Sequence, residues 1–322
     1  MDKPTVGFEL TNRDIKMAYW DGEGVQKTAR VALPPEAVDA GVVMDAGSVA
    51  DLIKKTLQEE GIGAKQAAVI VPPSRAYLRR LKMPAMTVGQ LAVNLPYEFR
   101  DFLSEAPDHY FYDYALNGMT YDEEGQPLEM DLTAAAVAKS LIEDYRALFR
   151  RAGLRLVTAV PVECALANLL MDKDSAREYC IINVGYEATS VYIYTGPHFE
   201  ADRQMDDGMH SVDKVLALEA AEGEKAPVDY NAITDNEEVQ SVYSAIVMDI
   251  RKAINFYSYN NRASNLTDVW CAGEGGTVTA LQEAIAQSTG MSIHHIEELL
   301  PQASEDAREL SLFAAAIGAA MQ

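Results

Sequence analysis

The sequence has 322 residues, of which 49 are acidic and 27 basic, so its formal net charge at pH 7 is −22. This charge disfavours nucleic-acid binding and electrostatic docking on an anionic membrane, because both need a basic surface. A hydrophobic content of 48% is typical of a globular protein, and the length favours two domains or one domain in two lobes.

Cysteine, histidine and N-terminal patterns give no sign of an exported or metal-binding protein. Cys164, Cys180 and Cys271 are widely spaced and form no CxxC pair, and the five histidines have no zinc-ligand spacing. The first residues show no charged-then-apolar leader, and no apolar run reaches membrane-spanning length. We therefore expect a protein of the reducing cytoplasm, without disulfides and without direct membrane insertion.

The N-terminal segment is predicted to begin with three strands, at 5–10, 14–20 and 26–33, the last two joined by a turn at 21–24. A helix is expected at 48–60, with Ser48 as its N-cap and Gly61 as its stop. The continuous apolar run at 67–71 ends at two prolines and predicts a strand buried on both faces.

Prolines and aromatic residues become frequent after residue 80, which indicates a small inserted α/β domain at 81–150. A helix is predicted at 88–103, a hairpin tip at 121–127, a strand at 130–138, and a helix at 140–152 that Gly153 closes. A strand at 154–161 and a helix at 162–171 follow.

The second half repeats the opening order of the first. The stretch Cys180–Ser211 predicts strands within 180–202, broken by turns at 183–189 and 196–197, before a helix at 209–222. A polar connector (223–238), an amphipathic helix (243–257), a strand (268–271), a glycine turn (272–276), a helix (278–289) and an alanine-rich core helix (310–320) complete the chain. An ordinary hairpin explains the 183–189 turn as well as an anion site does. With the turns at 9–16 and 272–276, however, it suggests a nucleotide-type cleft.

Several loose motifs, in order along nearly the whole chain, carry a family resemblance. They are Val71-Pro72-Pro73-Ser74-Arg75, Leu95-Pro96-Tyr97-Glu98-Phe99, Val160-Pro161-Val162-Glu163-Cys164-Ala165, Asn183-Val184-Gly185-Tyr186-Glu187-Ala188-Thr189-Ser190, Asp249-Ile250-Arg251-Lys252-Ala253-Ile254-Asn255-Phe256-Tyr257 and Ala272-Gly273-Glu274-Gly275-Gly276. Together they resemble the PilM family of type IV pilus assembly proteins, relatives of the cell-division protein FtsA. The resemblance implies an α/β fold of the actin/hexokinase type (ribonuclease H-like), with two lobes and an inserted small α/β domain. The first lobe would be 1–80, completed by 151–178 and 300–322, with 81–150 inserted and 179–299 as the second lobe.

The family also implies Mg-ATP in the interlobe cleft. The matching cofactor-binding positions are Glu9, Thr11, Asn12, Lys16, Asn183, Gly185, Thr189, Gly208, Gly273, Gly275 and Gly276. No catalytic residue or metal ligand is nominated.

The chain departs from the family pattern at these positions. Glu9 stands for an aspartate, Asn183 replaces a carboxylate, and Thr11, Asn12 and Arg13 stand where the family has a glycine and small hydroxyl residues. Asp207-Gly208 replaces a pair of glycines, and Glu274 adds a negative charge. We therefore expect Mg-ATP binding to be weak or lost and hydrolysis inefficient. Lys16 fits a strand-edge lysine better than a phosphate ligand.

The family further implies a partner, the cytoplasmic N-terminal segment of the bitopic membrane protein PilN, bound as an extended peptide near the inserted domain. Candidate groove residues are Leu81, Met83, Leu95, Tyr97 and Phe99, and the alternative for them is the insert's own core. The protein would then sit at the inner face of the membrane through its partner, and self-association is also open.

Two other functions compete with a PilM-like scaffold. An active ATPase or sugar kinase on the same fold needs an intact phosphate loop and a catalytic aspartate. FtsA-like membrane tethering needs a basic amphipathic C-terminal helix, and 310–322 contains no Lys or Arg.

Overall fold

A computed structural model describes residues 3–171, 173–174, 176–216, 228–233, 236–300, 302–304 and 309–321. The chain forms two compact units. The first comprises Met1–Leu169 with Pro301–Arg308 and Ala315–Gln322, and the second comprises Leu170–Leu300 with Glu309–Ala314.

The first unit is built on a five-stranded mixed sheet in the order β10-β6-β1-β2-β3. Its strands are β1 (Thr5–Leu10), β2 (Asp14–Trp20), β3 (Val25–Ala32), β6 (Gln66–Val71) and β10 (Arg155–Pro161), and β4 (Val38–Asp39) with β5 (Val42–Val43) forms a separate pair. β1 is antiparallel to β2 and parallel to β6, as expected for an apolar run buried on both faces. The helices are α1 (Ala46–Glu59), α3 (Lys139–Arg151) and α4 (Val162–Asn168), and α1 and α3 pack with the sheet around one apolar core.

The first helix begins two residues earlier than the sequence predicts. The side chain of Asp45, not that of Ser48, caps α1, because it accepts hydrogen bonds from the backbone N–H groups of Gly47 and Ser48. The predicted stop is confirmed: Gly61 has φ +64°, and the N–H of Ile62 donates to the Leu57 carbonyl at 2.8 Å.

A second, three-stranded antiparallel sheet in the first unit has the order β7-β9-β8. Its strands are β7 (Ala76–Pro84), β8 (Tyr110–Tyr121) and β9 (Pro127–Ala138), and helix α2 (Val88–Phe99) packs on one face. The predicted helix at 88–103 therefore ends four residues early, and the hairpin tip at 121–127 is confirmed. The exact bounds of an inserted domain at 81–150 stay a prediction.

The second unit holds another five-stranded sheet, in the order β13-β12-β11-β14-β15. Its strands are β11 (Glu178–Val184), β12 (Thr189–Thr195), β13 (His198–Met205), β14 (Asp268–Ala272) and β15 (Ser292–His295), and its helices are α5 (Met209–Val215), α6 (Glu237–Asn260) and α7 (Thr279–Thr289). The sequence pattern predicts no strand at β15. Residues 217–222 of the predicted helix at 209–222 lie outside the described residues. Residues 223–227 and 234–235 of the predicted connector also lie outside them.

The predicted internal duplication is confirmed by the two sheets. In each, a three-stranded antiparallel meander (β1-β2-β3 or β11-β12-β13) is joined to a later parallel strand (β6 or β14). The alanine-rich segment forms a turn of 3₁₀ helix at Leu310–Phe313 and then α8 (Ala314–Ala320).

Small residues in α8 permit unusually close backbone contacts. A Cβ atom on Gly7 would overlap the Ala316 carbonyl, and one on Gly318 would overlap the Ala165 carbonyl. Of the helices in the described part of the chain, none is both long and apolar enough to cross a lipid bilayer.

Candidate functional site

The first predicted phosphate loop is the β1–β2 hairpin of the first unit. Thr11 organises its turn: the Thr11 hydroxyl accepts hydrogen bonds from the N–H groups of Arg13 (3.1 Å) and Asp14 (3.0 Å) and donates to Asp14 Oδ1 at 2.9 Å. Asn12 Oδ1 accepts from the N–H of Ala40 at 2.8 Å. Backbone donors that a phosphate would need are therefore already bonded to the hairpin's own threonine.

Glu9 and Lys16 face each other across the same hairpin. They are direct cross-strand neighbours, and Lys16 Nζ lies 3.4 Å from Glu9 Oε2. Lys16 is buried on β2, which has β1 and β3 on either side, so it is not the strand-edge lysine that the sequence suggested. Its charge is compensated within the hairpin.

The second unit brings together the remaining predicted residues. In the β11–β12 turn, the N–H of Gly185 donates to the Ala188 carbonyl at 3.0 Å, and the Thr189 hydroxyl donates to the Asp207 carbonyl at 2.7 Å. A Cβ atom on Gly208 would lie 2.5 Å from the Tyr186 carbonyl oxygen. Only glycine therefore fits at position 208 against this turn.

The first N–H groups of α5 are also engaged by the turn. Met209 donates to the Gly185 carbonyl at 3.0 Å and His210 donates to the Tyr186 carbonyl at 2.8 Å. The start of this helix thus bonds to protein carbonyls of the loop that the sequence assigned to phosphate.

The predicted adenosine-side turn, Gly273–Gly276, packs directly on β11. Gly273 has φ +82°, and a Cβ atom there would overlap Asn183 Oδ1 and lie 2.5 Å from the Val184 carbonyl oxygen. A Cβ atom on Gly275 would lie 2.6 Å from Val184 Cγ1, and the N–H of Gly276 donates to the Gly273 carbonyl at 3.1 Å. The glycines serve close packing of this turn against Asn183 and Val184.

The predicted peptide-groove residues lie mainly in a core. Leu81, Met83, Leu95 and Phe99 are all buried between the three-stranded sheet and α2, which is the alternative that the sequence left open. Tyr97 alone of the five is exposed, at 67%.

The opposite face of the same sheet lines a cavity of about 520 Å³ in the first unit. Because side chains along a strand alternate between the two faces of a sheet, the sheet residues that point into this cavity are not the predicted ones. Leu78, Phe111 and Ala135 line it from the sheet, and Ile142 and Arg146 line it from α3. Thr158–Pro161 of β10 close the other side. The alternation of Leu78 with the buried Leu81 and Met83 could have indicated this face from the sequence.

Aromatic and basic groups meet at this cavity. The Arg146 guanidinium carbon lies 5.8 Å from the centroid of the Phe111 ring, and Lys139 Nζ lies 5.5 Å from it. Cys164 also lines the cavity, and burial raises the pKa of its thiol to about 12, so the thiol is not a reactive nucleophile at neutral pH.

A charged cluster in the second unit is not predicted from the sequence, because its members come from separate segments. His294 on β15 stacks on Trp270, with ring centroids 5.0 Å apart. His294 Nε2 lies 2.8 Å from Asp268 Oδ1, and its Nδ1 lies 2.8 Å from Glu298 Oε2. Arg177 Nη2 lies 2.9 Å from Asp268 Oδ2.

The ionisation of this cluster follows from its geometry. Partial burial opposes protonation of His294, but hydrogen bonds to Asp268 and Glu298 outweigh it and raise the pKa of the imidazole. The hydrogen bond from Thr267, together with those from His294 and Arg177, lowers the pKa of Asp268 to about 2. Two carboxylates at the two ring nitrogens favour an imidazolium that donates to both.

Two five-stranded sheets, each with an antiparallel meander joined to a later parallel strand, define a protein of the actin-like ATPase fold. Solved structures agree: the chain is similar to a PilM–PilN type IV pilus biogenesis complex, with a TM-score of 0.80 at 18% identity over 98% of this chain and 97% of the other. It is also similar to the ethanolamine utilization protein EutJ from Carboxydothermus hydrogenoformans, with a TM-score of 0.57 at 16% identity over 100% of this chain and 90% of the other.

The family is shown by sequence. The model of the type IV pilus assembly protein PilM matches residues 14–322, so the chain belongs to the PilM family. Among curated protein sequences, none is similar enough to be matched to it.

Proposed function

We propose that this protein is a cytoplasmic scaffold of type IV pilus assembly that binds the N-terminal cytoplasmic segment of a PilN-like bitopic membrane protein. The family match over residues 14–322 carries the proposal. Similarity to a structure that contains PilM with PilN supports the nature of the partner. Through that partner the protein would be held at the inner face of the membrane.

The cavity beside the three-stranded sheet is the binding place that we favour. Among the described strands, β8 pairs only with β9 and β10 pairs only with β6, so both strands that border the cavity have an unpaired edge. An extended peptide can hydrogen-bond to such an edge while its side chains enter apolar pockets. Leu78, Ala135 and Ile142 supply apolar surface there, and Arg146, which also pairs with Glu143 at 2.7 Å, lies beside Phe111.

The nucleotide site is proposed to be degenerate. In the first unit, the Thr11 hydroxyl accepts hydrogen bonds from the N–H groups of Arg13 and Asp14, and Glu9 neutralises Lys16. In the second unit, carbonyls of the β11–β12 turn accept hydrogen bonds from the N–H groups at the start of α5. These residues do not fit Mg-ATP.

Calorimetric titration tests the partner. The probe is a synthetic peptide with the sequence of the N-terminal cytoplasmic segment of the PilN-like protein from the same organism, and a scrambled peptide of equal composition is the control. Saturable heat with the native sequence alone is the expected result. Equal heats from both peptides, or none from either, would contradict the proposed function.

A further inference from the structure

The second unit has a separate groove between strand β13 and helix α6, with a volume of about 870 Å³. Val191 and Ile193 of β12 form part of its floor, and Ala253, Phe256 and Tyr257 of α6 form one wall. None of the residues assigned above to nucleotide binding lines the groove; Asp207, which precedes Gly208, lies at its border. The proposed PilN site, which lies in the first unit, does not account for it.

The apolar part of this groove is open to a ligand. Phe256 lines it with 73% of its surface exposed, whereas Val191 and Ile193 below are buried in the unit's core. A large aromatic side chain left exposed beside an apolar floor is the kind of surface that a partner covers.

One wall of the groove is also the edge of a sheet. Among the described strands, β13 pairs only with β12, so its other edge lies beside no described strand. A strand edge beside an apolar groove suits an added extended segment, because backbone bonds supply affinity and alternate side chains enter the groove.

The charged side chains that line the groove indicate the kind of segment that it binds. Asp202, Asp206, Asp207 and Asp249 line the groove, against Arg203 and Lys252. Lys252 Nζ already lies 2.8 Å from Asp249 Oδ1, so the excess charge at the groove is negative. A second copy of a chain with net charge −22 would be repelled, whereas a basic segment would be attracted.

We propose that the groove between β13 and α6 binds an extended segment of a second partner protein in which apolar residues alternate with Lys or Arg. The segment adds as a strand along β13, with its apolar side chains against Phe256 and Tyr257 and its basic side chains near the aspartates. This inference goes beyond the PilN-like partner and does not depend on it.

The test uses a synthetic peptide of alternating valine and lysine, equal in length to the eight residues of β13. The control peptide carries glutamate in place of each lysine. Calorimetric titration of the full chain is expected to show binding of the lysine peptide, weakened by added salt, and none of the glutamate peptide. Equal binding of both peptides, or of neither, would overturn the proposal.

Two variants on the exposed side of α6 test whether the peptide binds in the groove. Phe256→Ala is expected to weaken lysine-peptide binding about tenfold, because it removes the aromatic wall. Tyr259→Ala is the matched control, since Tyr259 is 81% exposed on the same helix but does not line the groove. Both side chains are exposed, so neither substitution threatens folding. Equal effects of the two would refute the assignment.

Hydrogen exchange tests whether the peptide binds as an added strand along β13. Bound peptide is expected to slow exchange of backbone amides within β13 and to leave those of β15, the opposite edge strand, unchanged. Binding without protection of β13 would overturn the strand-addition mode. A concentration-dependent dimer that forms without peptide and that Phe256→Ala abolishes would also overturn the proposal, because a second copy of the chain would then occupy the groove.

Discussion

Asn183 and Gly273 lie so close together that a Cβ atom on Gly273 would overlap the Oδ1 atom of Asn183. The contact joins β11 to the turn that follows β14. Strands β11 and β14 pair in parallel, with Asn183 opposite Ala272. Glycine at 273 is therefore required twice, by this approach and by a φ of +82°.

Gly273→Ala should lower the free energy of unfolding of the second unit by about 3 kcal/mol, from left-handed strain and overpacking together. Gly290→Ala is the matched control, since Gly290 has φ +73° with nothing within 4 Å of a built Cβ, and it should cost only about 1 kcal/mol. The chain has two tryptophans, Trp20 in the first unit and Trp270 in the second. In a Trp20→Phe background, tryptophan fluorescence during urea unfolding therefore reports the second unit alone. Equal losses from the two glycine variants would contradict the contact.

Most of the fold could be predicted from local patterns. Apolar runs bounded by turn residues predicted both meanders, and Gly61 and Gly153 marked helix ends because each adopts a positive φ that other residues avoid. β15 escaped prediction because it has only four residues, two of them histidines, and no strand-like alternation.

The site was harder to predict, because its contacts depend on hairpin register and on packing between separate segments. The Glu9–Lys16 pair depends on the register of the β1–β2 hairpin, and the hydrogen bonds from the start of α5 to the 185–186 carbonyls depend on how α5 packs on the β11–β12 turn. The peptide-groove prediction rests on apolarity, and apolarity alone cannot tell a sheet's core face from its opposite face. Leu81 and Leu78 are equally apolar, yet Leu81 is buried in the core while Leu78 lines the cavity.

Ala135→Trp should weaken binding of the PilN-like peptide about tenfold or more, because the indole would fill the cavity beside the three-stranded sheet. Ala135 lies on β9 between Leu78 and Asp113 of the neighbouring strands, so the substitution acts at the centre of that face. Ala92→Trp, on the exposed side of α2, is the control of equal size and should leave the affinity unchanged. The measurement is the dissociation constant by calorimetry, and unaltered binding by Ala135→Trp would place the peptide elsewhere.

Restoring the altered loops should restore nucleotide binding if those alterations caused its loss. Thr11→Gly frees the N–H groups of Arg13 and Asp14, and Asn183→Asp adds a carboxylate for a hydrated Mg²⁺. We expect no heat from the natural sequence titrated with Mg-ATP and saturable heat from the double variant. Thr11→Ser is the matched control, because serine keeps the hydroxyl that occupies those N–H groups. Clear binding of Mg-ATP by the natural sequence would contradict a degenerate site.

The His294 cluster should make the stability of the second unit depend on pH at two separate limits. The pKa of His294 is raised above its ordinary 6.5, so its contribution is fully present below pH 6.5 and is lost as pH rises through the folded-state pKa. The pKa of Asp268 is lowered from 3.8 to about 2, so its contribution is present above pH 3.8 and is lost as pH falls towards 2. The cluster therefore stabilises most between these limits.

Trp270 offers a direct readout of His294, because the two rings stack at 5.0 Å and an imidazolium quenches indole fluorescence. In the Trp20→Phe background, fluorescence should rise with pH through a midpoint above 6.5. Asp268→Asn should move that midpoint down, because it removes one of the two carboxylates that favour the imidazolium. His294→Gln should abolish the transition, whereas His109→Gln, in the first unit, should leave it intact. A midpoint unmoved by Asp268→Asn would show that this carboxylate does not hold the proton on His294.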